Sequence, residues 1–281
     1  MAAAQSAERT LFVTALDASG KPVTNLATSD VVVREDGVAR EVLRVEPATE
    51  PLQVHVLVDT SSTLAPDEAE ARRALEAFFK RLLTGTHEAA LVEYGDRPSV
   101  IVEPTSSLPA LERGVGRIFP RSSSGAYMLD AIVETTRRIQ KSEAARPVVV
   151  VVATEGVEFS VPDYQRALDP LKASGAALHV LTLTRRQATR MSTDEERARN
   201  VVVDRGTIET GGEHDIILTA MALDDALLKV ADQLLKQVKV VYGRPQTLIP
   251  PEKVTIAAAR EGLTVRGTPA RAVRPGGTDK K

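Results

Sequence analysis

The chain has 281 residues, 43% hydrophobic and 26% charged, a composition that supports an ordinary globular core. Its 36 Lys and Arg against 38 Asp and Glu, with aromatics at 3%, leave no basic footprint for nucleic acid. Cysteine is absent, which removes disulfides and thiolate metal sites, and the longest wholly apolar run, 148–153, is far short of a membrane span.

The opening Met1-Ala2-Ala3-Ala4-Gln5-Ser6 has neither a charged n-region nor an apolar h-region. It reads as the small-residue remnant beside a signal-peptide cleavage point, so a secreted, periplasmic or cell-surface setting is the expectation. Residues 9–48 then read as a β unit. Apolar runs at 11–16, 31–35 and 38–45 are separated by turn residues, and Asp36-Gly37 between two of them is a hairpin signal because it tolerates positive φ. Residues 46–51, rich in Pro, Thr and Glu, form a linker.

In residues 54–58, Val54, Val56, Leu57 and Val58 can all be buried, as in a strand covered on both faces, and the run stops at Asp59. Pro66-Asp67 opens a helix whose Ala71, Leu75, Phe78, Phe79 and Leu82 recur at helical spacing, with Gly85 closing it. A strand at 88–94, an edge strand at 99–102 and a weaker amphipathic helix at 108–118 come next. After a loop at 121–125 and a helix at 128–139, residues 147–153 give a second strand with five consecutive valines. It ends in Thr154-Glu155-Gly156.

A helix at 164–173 and a strand at 177–183 continue the alternation, which calls for an α/β fold, a Rossmann-like doubly wound, mainly parallel sheet. Residues 185–197 are highly charged without apolar periodicity and read as an exposed excursion. A helix at 198–209, a strand at 214–218 and a helix at 223–237 complete an α/β domain over 52–237. The pattern then reverts to strands at 239–242, 253–258 and 263–266. Neither terminal set has enough strands to stand alone, so 238–268 is expected to join 9–48 in a small β-sandwich, followed by a disordered tail at 269–281.

In open α/β sheets, ligands bind at the carboxyl ends of the strands. Asp59 with Ser61 and Thr63 makes a set of hard oxygen donors at such an end, suited to Mg²⁺; the alternative is a solvated strand-to-helix turn. Asp59-Thr60-Ser61 also mimics half of an aspartic-protease site, but the second carboxylate copy that chemistry needs is absent. No G-x-S-x-G elbow occurs, and His55 and His179 lie inside buried strands as satisfied core histidines. His87 and His214 stand near turns with no serine placed beside them, so a non-enzyme is expected.

The ordered series Gly20-Lys21-Pro22-Val23, Glu35-Asp36-Gly37, Leu57-Val58-Asp59-Thr60-Ser61, Leu129-Asp130-Ala131-Ile132, Thr154-Glu155-Gly156, Thr210-Gly211-Gly212 and Val241-Tyr242-Gly243-Arg244-Pro245 resembles von Willebrand factor A (VWFA) proteins of acidobacterial type. The resemblance implies a metal-ion-dependent adhesion site that binds proteins, in an exported chain. Its first segment is intact in Asp59, Ser61 and Thr63. The threonine of its second segment falls at Ala126, so Ser124 is the nearby candidate oxygen. The aspartate of its third segment is Glu155, which reaches one methylene further. The expectation is a protein-binding, adhesion or scaffolding module in which Mg²⁺ on Asp59, Ser61, Thr63, Ser124 and Glu155 meets a partner protein's acidic side chain. The alternatives are a metal-independent interaction protein of the same fold and, more remotely, an aspartic-protease-like hydrolase.

Overall fold

The computed structural model describes residues 6–122, 124–161, 163–184, 192–245 and 249–270. In chain order, β1 (Ser6–Leu16), β2 (Val31–Glu35), β3 (Val38–Arg40) and β4 (Val42–Pro47) precede the apolar strand β5 (Leu52–Val58). A 3-10 turn, Ser62–Asp67, leads into α1 (Glu68–Leu82), followed by β6 (Glu88–Glu93), β7 (Ser99–Thr105), α2 (Leu108–Val115) and α3 (Met128–Lys141). Next come β8 (Arg146–Thr154), α4 (Tyr164–Ser174), β9 (Ala177–Leu183), α5 (Asp194–Thr210), β10 (His214–Ile217) and α6 (Leu223–Leu235). The described chain closes with β11 (Val238–Pro245), β12 (Val254–Ala258) and β13 (Thr264–Pro269).

One sheet runs β10-β9-β8-β5-β6-β7, parallel throughout except for β7, which returns antiparallel along β6. The two valine-rich runs are its central pair, in register from Val54 opposite Val148 to Val58 opposite Val152. Alternation is missing from both because helices cover both faces. Leu75, Phe78, Leu111, Leu227 and Leu234 from α1, α2 and α6 pack on Val54, Val56 and Val150. On the other face Leu129, Ile132, Leu168, Leu171 and Val202 from α3, α4 and α5 pack on Leu57, Val149 and Val151. Each fully buried side chain of this size contributes about 1.5–3 kcal/mol of transfer free energy, so the two layers hold the strand ends in place.

The two ends of the chain meet. A four-stranded sheet, β13-β1-β11-β4, and a three-stranded one, β12-β2-β3, enclose a separate core of Leu11, Val13, Val33, Val240 and Tyr242. Asp36 at φ 47° and Gly37 at φ 84° form the β2–β3 hairpin. Arg146 joins this unit to the α/β layers: its guanidinium donates to the carbonyls of Ala48, Glu50 and Leu234 and to Gln237, and lies over the Phe12 ring.

Several boundaries differ from expectation. Helix α5 starts at Asp194, inside the charged stretch, because Thr193 accepts from the Glu196 amide while Glu196 accepts from the Thr193 amide. The rest of that stretch, 185–191, lies outside the described residues, as do 1–5 and 271–281. The ordered chain runs past the expected start of the tail at 269: Pro269 belongs to β13, and the Ala270 amide donates to Thr10 at 2.9 Å. Pro66 sits in the 3-10 turn before α1 rather than in the helix. His55 has a partner at one ring nitrogen only, Nε2 at 3.3 Å from Gln53 Oε1, and neither ring nitrogen of the buried His179 has a partner among the described residues.

Candidate functional site

The apolar pattern carries β5 into the sheet up to Val58, and the next three residues, Asp59, Thr60 and Ser61, are all buried at its carboxyl end. The Asp59 amide still donates to Val152 on β8 at 2.9 Å, so the carboxylate is held between the two central strands. Its Oδ1 accepts from the Ser61 amide at 2.8 Å. Its Oδ2 accepts from the Thr154 hydroxyl at 2.5 Å and the Thr154 amide at 3.3 Å.

Around this carboxylate the hydroxyls converge. A methyl group built on Gly156 would lie 2.9 Å from Thr63 Oγ1, 3.2 Å from Ser61 Oγ and 3.4 Å from Thr154 Oγ1, so three hydroxyl oxygens surround one small space that glycine leaves open. Ser61 Oγ is sealed from solvent with no hydrogen-bond partner among the described residues. An orphaned buried hydroxyl costs about 1–3 kcal/mol, and beside an aspartate and two further hydroxyls it is what a hard cation would satisfy. The donor set therefore fits Mg²⁺. No three His, Cys, Asp or Glu side chains cluster among the described residues, so such a site depends on hydroxyls.

Three further loops frame this group. Thr60 accepts from the Arg121 amide at 2.8 Å and, through its hydroxyl, from the Gly95 amide at 3.1 Å. Any side chain on Gly95 would meet the Thr60 backbone at 2.2 Å, so that approach requires glycine. Arg121 in turn pairs with Glu93 at 2.6 Å. Ala126 bridges to the 157–159 segment, its amide donating to Val157 and its carbonyl accepting from Phe159. Tyr94 is fully buried and donates to the Val152 carbonyl, and burial with the nearby Asp59 raises its pKa well above the usual phenol range.

The five candidate residues are thus not equivalent. Asp59, Ser61 and Thr63 come together. The Ser124 hydroxyl turns to the Arg121 carbonyl at 2.9 Å, and its carbonyl accepts from the exposed Ser62 at 3.3 Å, outside the Asp59, Ser61 and Thr63 group. Glu155 is exposed on the outside of the turn.

Other participants went unnoticed in the sequence. Thr154, the last residue of β8, anchors Asp59; a hydroxyl ending an apolar run is its only signal. Arg199 on α5 donates to the Gly156 carbonyl at 2.9 Å and holds the turn from behind. Glu158 is buried with its carboxylate accepting from the Met128 amide at the start of α3, and burial pushes its pKa up to about 7. Nothing in the alternating run 157–160 marked Glu158 as the buried acid rather than Glu155.

With this geometry in view, residues 54–157 match a family model described as von Willebrand factor type A domain. No curated protein matches the chain. Among solved structures, von Willebrand factor type A from Catenulispora acidiphila is 12% identical at a TM-score of 0.52, covering 95% of this chain and 74% of that one. The vWF domain of the type V pili tip protein Mfa5 from Porphyromonas gingivalis is 12% identical at 0.51, covering 66% of this chain and 96% of that one. Proximal thread matrix protein 1 from the mussel byssus is 13% identical at 0.51, covering 68% of this chain and 50% of that one. At these identities the likeness is one of fold.

Proposed function

We propose, from the von Willebrand factor type A domain that includes residues 54–157, that this chain is a non-enzymatic protein-binding module working through the face around Asp59. The observation that carries the reading is the buried, unpartnered Ser61 hydroxyl, set with Thr63 and Thr154 around the space beside Gly156 and next to the Asp59 carboxylate. In this reading Asp59, Ser61 and Thr63 hold Mg²⁺, and the bound ion supplies a Lewis-acidic position for an acidic side chain of the partner. Glu155, exposed at the rim, and Ser124 are the further oxygens this reading assigns to the set. An exported, surface-exposed setting suits such a module. The fold-level likeness to a pilus tip domain and a byssus matrix protein agrees with adhesion, although fold alone does not assign function.

A second reading, metal-independent binding by the same rim, has its own observation. Both Asp59 oxygens already accept hydrogen bonds, from the Ser61 amide and from Thr154, so the carboxylate is satisfied by the protein itself.

Melting temperature with and without Mg²⁺ or Mn²⁺ separates the two, because an ion that binds only the folded state raises it by mass action. The metal-assisted reading expects a rise that saturates with concentration and disappears in Asp59→Ala. An unchanged rise in that variant places the ion elsewhere, and no rise in the native chain leaves the metal-independent reading. For the face itself, envelope and secreted proteins are captured on the native chain and on an Asp59→Ala/Glu155→Ala double variant. Equal recovery by both removes this face, and reproducible hydrolysis of a peptide or ester overturns the non-enzyme reading.

A further inference from the structure

We propose that a cleft between the sheet and the carboxyl end of α3 is a second binding site, built for a small hydrogen-bond donor with an apolar body and against small anions. The cleft has a volume of about 160 Å³, comparable to a protein cavity of about 150 Å³ that accommodates one benzene ring. Ala90, Val92 and Val100 form its apolar wall, and His55 and Gln53 its polar one.

The polar wall has a fixed sense. Gln53 Nε2 donates to the Glu88 carboxylate at 3.1 Å, and a carboxylate only accepts. The amide oxygen of Gln53 therefore faces the other way, where it accepts from the Ser142 hydroxyl at 3.3 Å and stands 3.3 Å from His55 Nε2. That oxygen has no proton, so Nε2 of His55 carries the ring's hydrogen and Nδ1 presents a bare lone pair. Nδ1 has no partner in the protein among the described residues and is not one of the atoms sealed from solvent. The ring stays neutral near pH 7, since burial and the charge of Arg138 pull its pKa down to about 4.

The surrounding charges select further. Arg138 and Glu103 at the rim pair with each other at 3.1 Å and largely cancel. The cleft also lies at the negative end of α3, whose C-cap is Ser142, and beside Glu88. With Arg138 and Glu103 cancelling each other, a lone pair, a helix carboxyl end and the Glu88 carboxylate remain. An alcohol, phenol or amine satisfies Nδ1 in this environment, and a carboxylate is repelled. The cleft is separate from the Asp59 group, because His55 lies in mid-strand, well below Asp59, and faces the α3 layer with Val92.

Three probes of one shape test this: phenol as donor, toluene as the same body without a donor, and benzoate as the anion. Binding is followed by titration in long-range proton–nitrogen NMR spectra of the histidine rings, where a nitrogen that begins to accept a hydrogen bond shifts distinctly. Phenol is expected to saturate and to move the His55 Nδ1 signal, with toluene and benzoate at least ten times weaker. In His55→Phe the preference for phenol over toluene should fall below about twofold. Ala90→Leu, which fills the cleft from the strand beside His55 and keeps the imidazole, should abolish binding of all three and decides the question if His55→Phe does not fold. Absence of saturable phenol binding, equal affinity for toluene or benzoate, or survival of the preference in either variant overturns the proposal.

Discussion

Ser61 and His179 are buried polar groups without partners among the described residues, and the two have opposite meanings. Ser61 lies where a cation would satisfy it, so Ser61→Ala should leave metal-free stability unchanged or up to about 1 kcal/mol higher while removing the Mg²⁺-dependent rise in melting temperature; a destabilised variant that keeps the rise contradicts this. His179 lies in mid-strand on β9, where burial pulls its pKa down to about 4. The unfolded chain, with the ordinary value near 6.5, takes up the proton first. Its contribution to stability is therefore intact above about pH 6.5 and is lost as pH falls toward 4, a change on the order of 3 kcal/mol. His179→Leu should be more stable at pH 7.5 and should lose less stability between pH 7 and 4.5 than the native chain in urea titrations. An unchanged acid slope would show that other groups govern the acid transition.

Helix α5 shows how one cap sets an element. Its first turn is acidic, with Asp194, Glu195 and Glu196 facing the positive end of the helix, and Thr193 closes the reciprocal bonds. The turn matters to the site because Arg199, in the second turn, holds the Gly156 carbonyl. Thr193→Ala should cost about 1 kcal/mol, read from the urea midpoint, and speed hydrogen exchange at 196–199. Unchanged exchange at those amides would mean that tertiary contacts, and not the cap, hold the helix start.

Across the molecule, both chain ends build one terminal sandwich, and a buried cation ties it to the α/β layers. Strand β1 lies between β11 and β13, so the first and last described segments are inseparable in the sheet. Arg146 reaches the linker, the end of α6 and the Phe12 ring at once. Burial lowers its pKa to about 10, which still leaves it charged at neutral pH. Arg146→Met strands several buried carbonyls and should cost about 3 kcal/mol or more. Calorimetry of the native chain should give one transition, and two resolved transitions would show that the units unfold independently.

Residue patterning alone is enough for the elements whose pattern states their environment. Val54, Val56, Leu57 and Val58, and the five valines at 148–152, read as doubly covered strands, Asp36-Gly37 as a tight hairpin, and Asp59 with Ser61 and Thr63 as the polar end of a strand. Whatever depends on which way a side chain turns, or which distant group it meets, waits for the packed fold. The acids Glu155 and Glu158 look alike along the chain, yet one is exposed and the other lies buried at the start of α3, because the 157–159 segment bridges to Ala126. Thr154 anchors Asp59 only because β8 is paired with β5 in one register. The unpartnered Ser61 hydroxyl and the bare His55 nitrogen likewise exist only once the neighbouring groups are packed. Periodicity reports burial, which is a local average over a face; a site depends on single oxygen and nitrogen atoms converging from segments far apart in the chain.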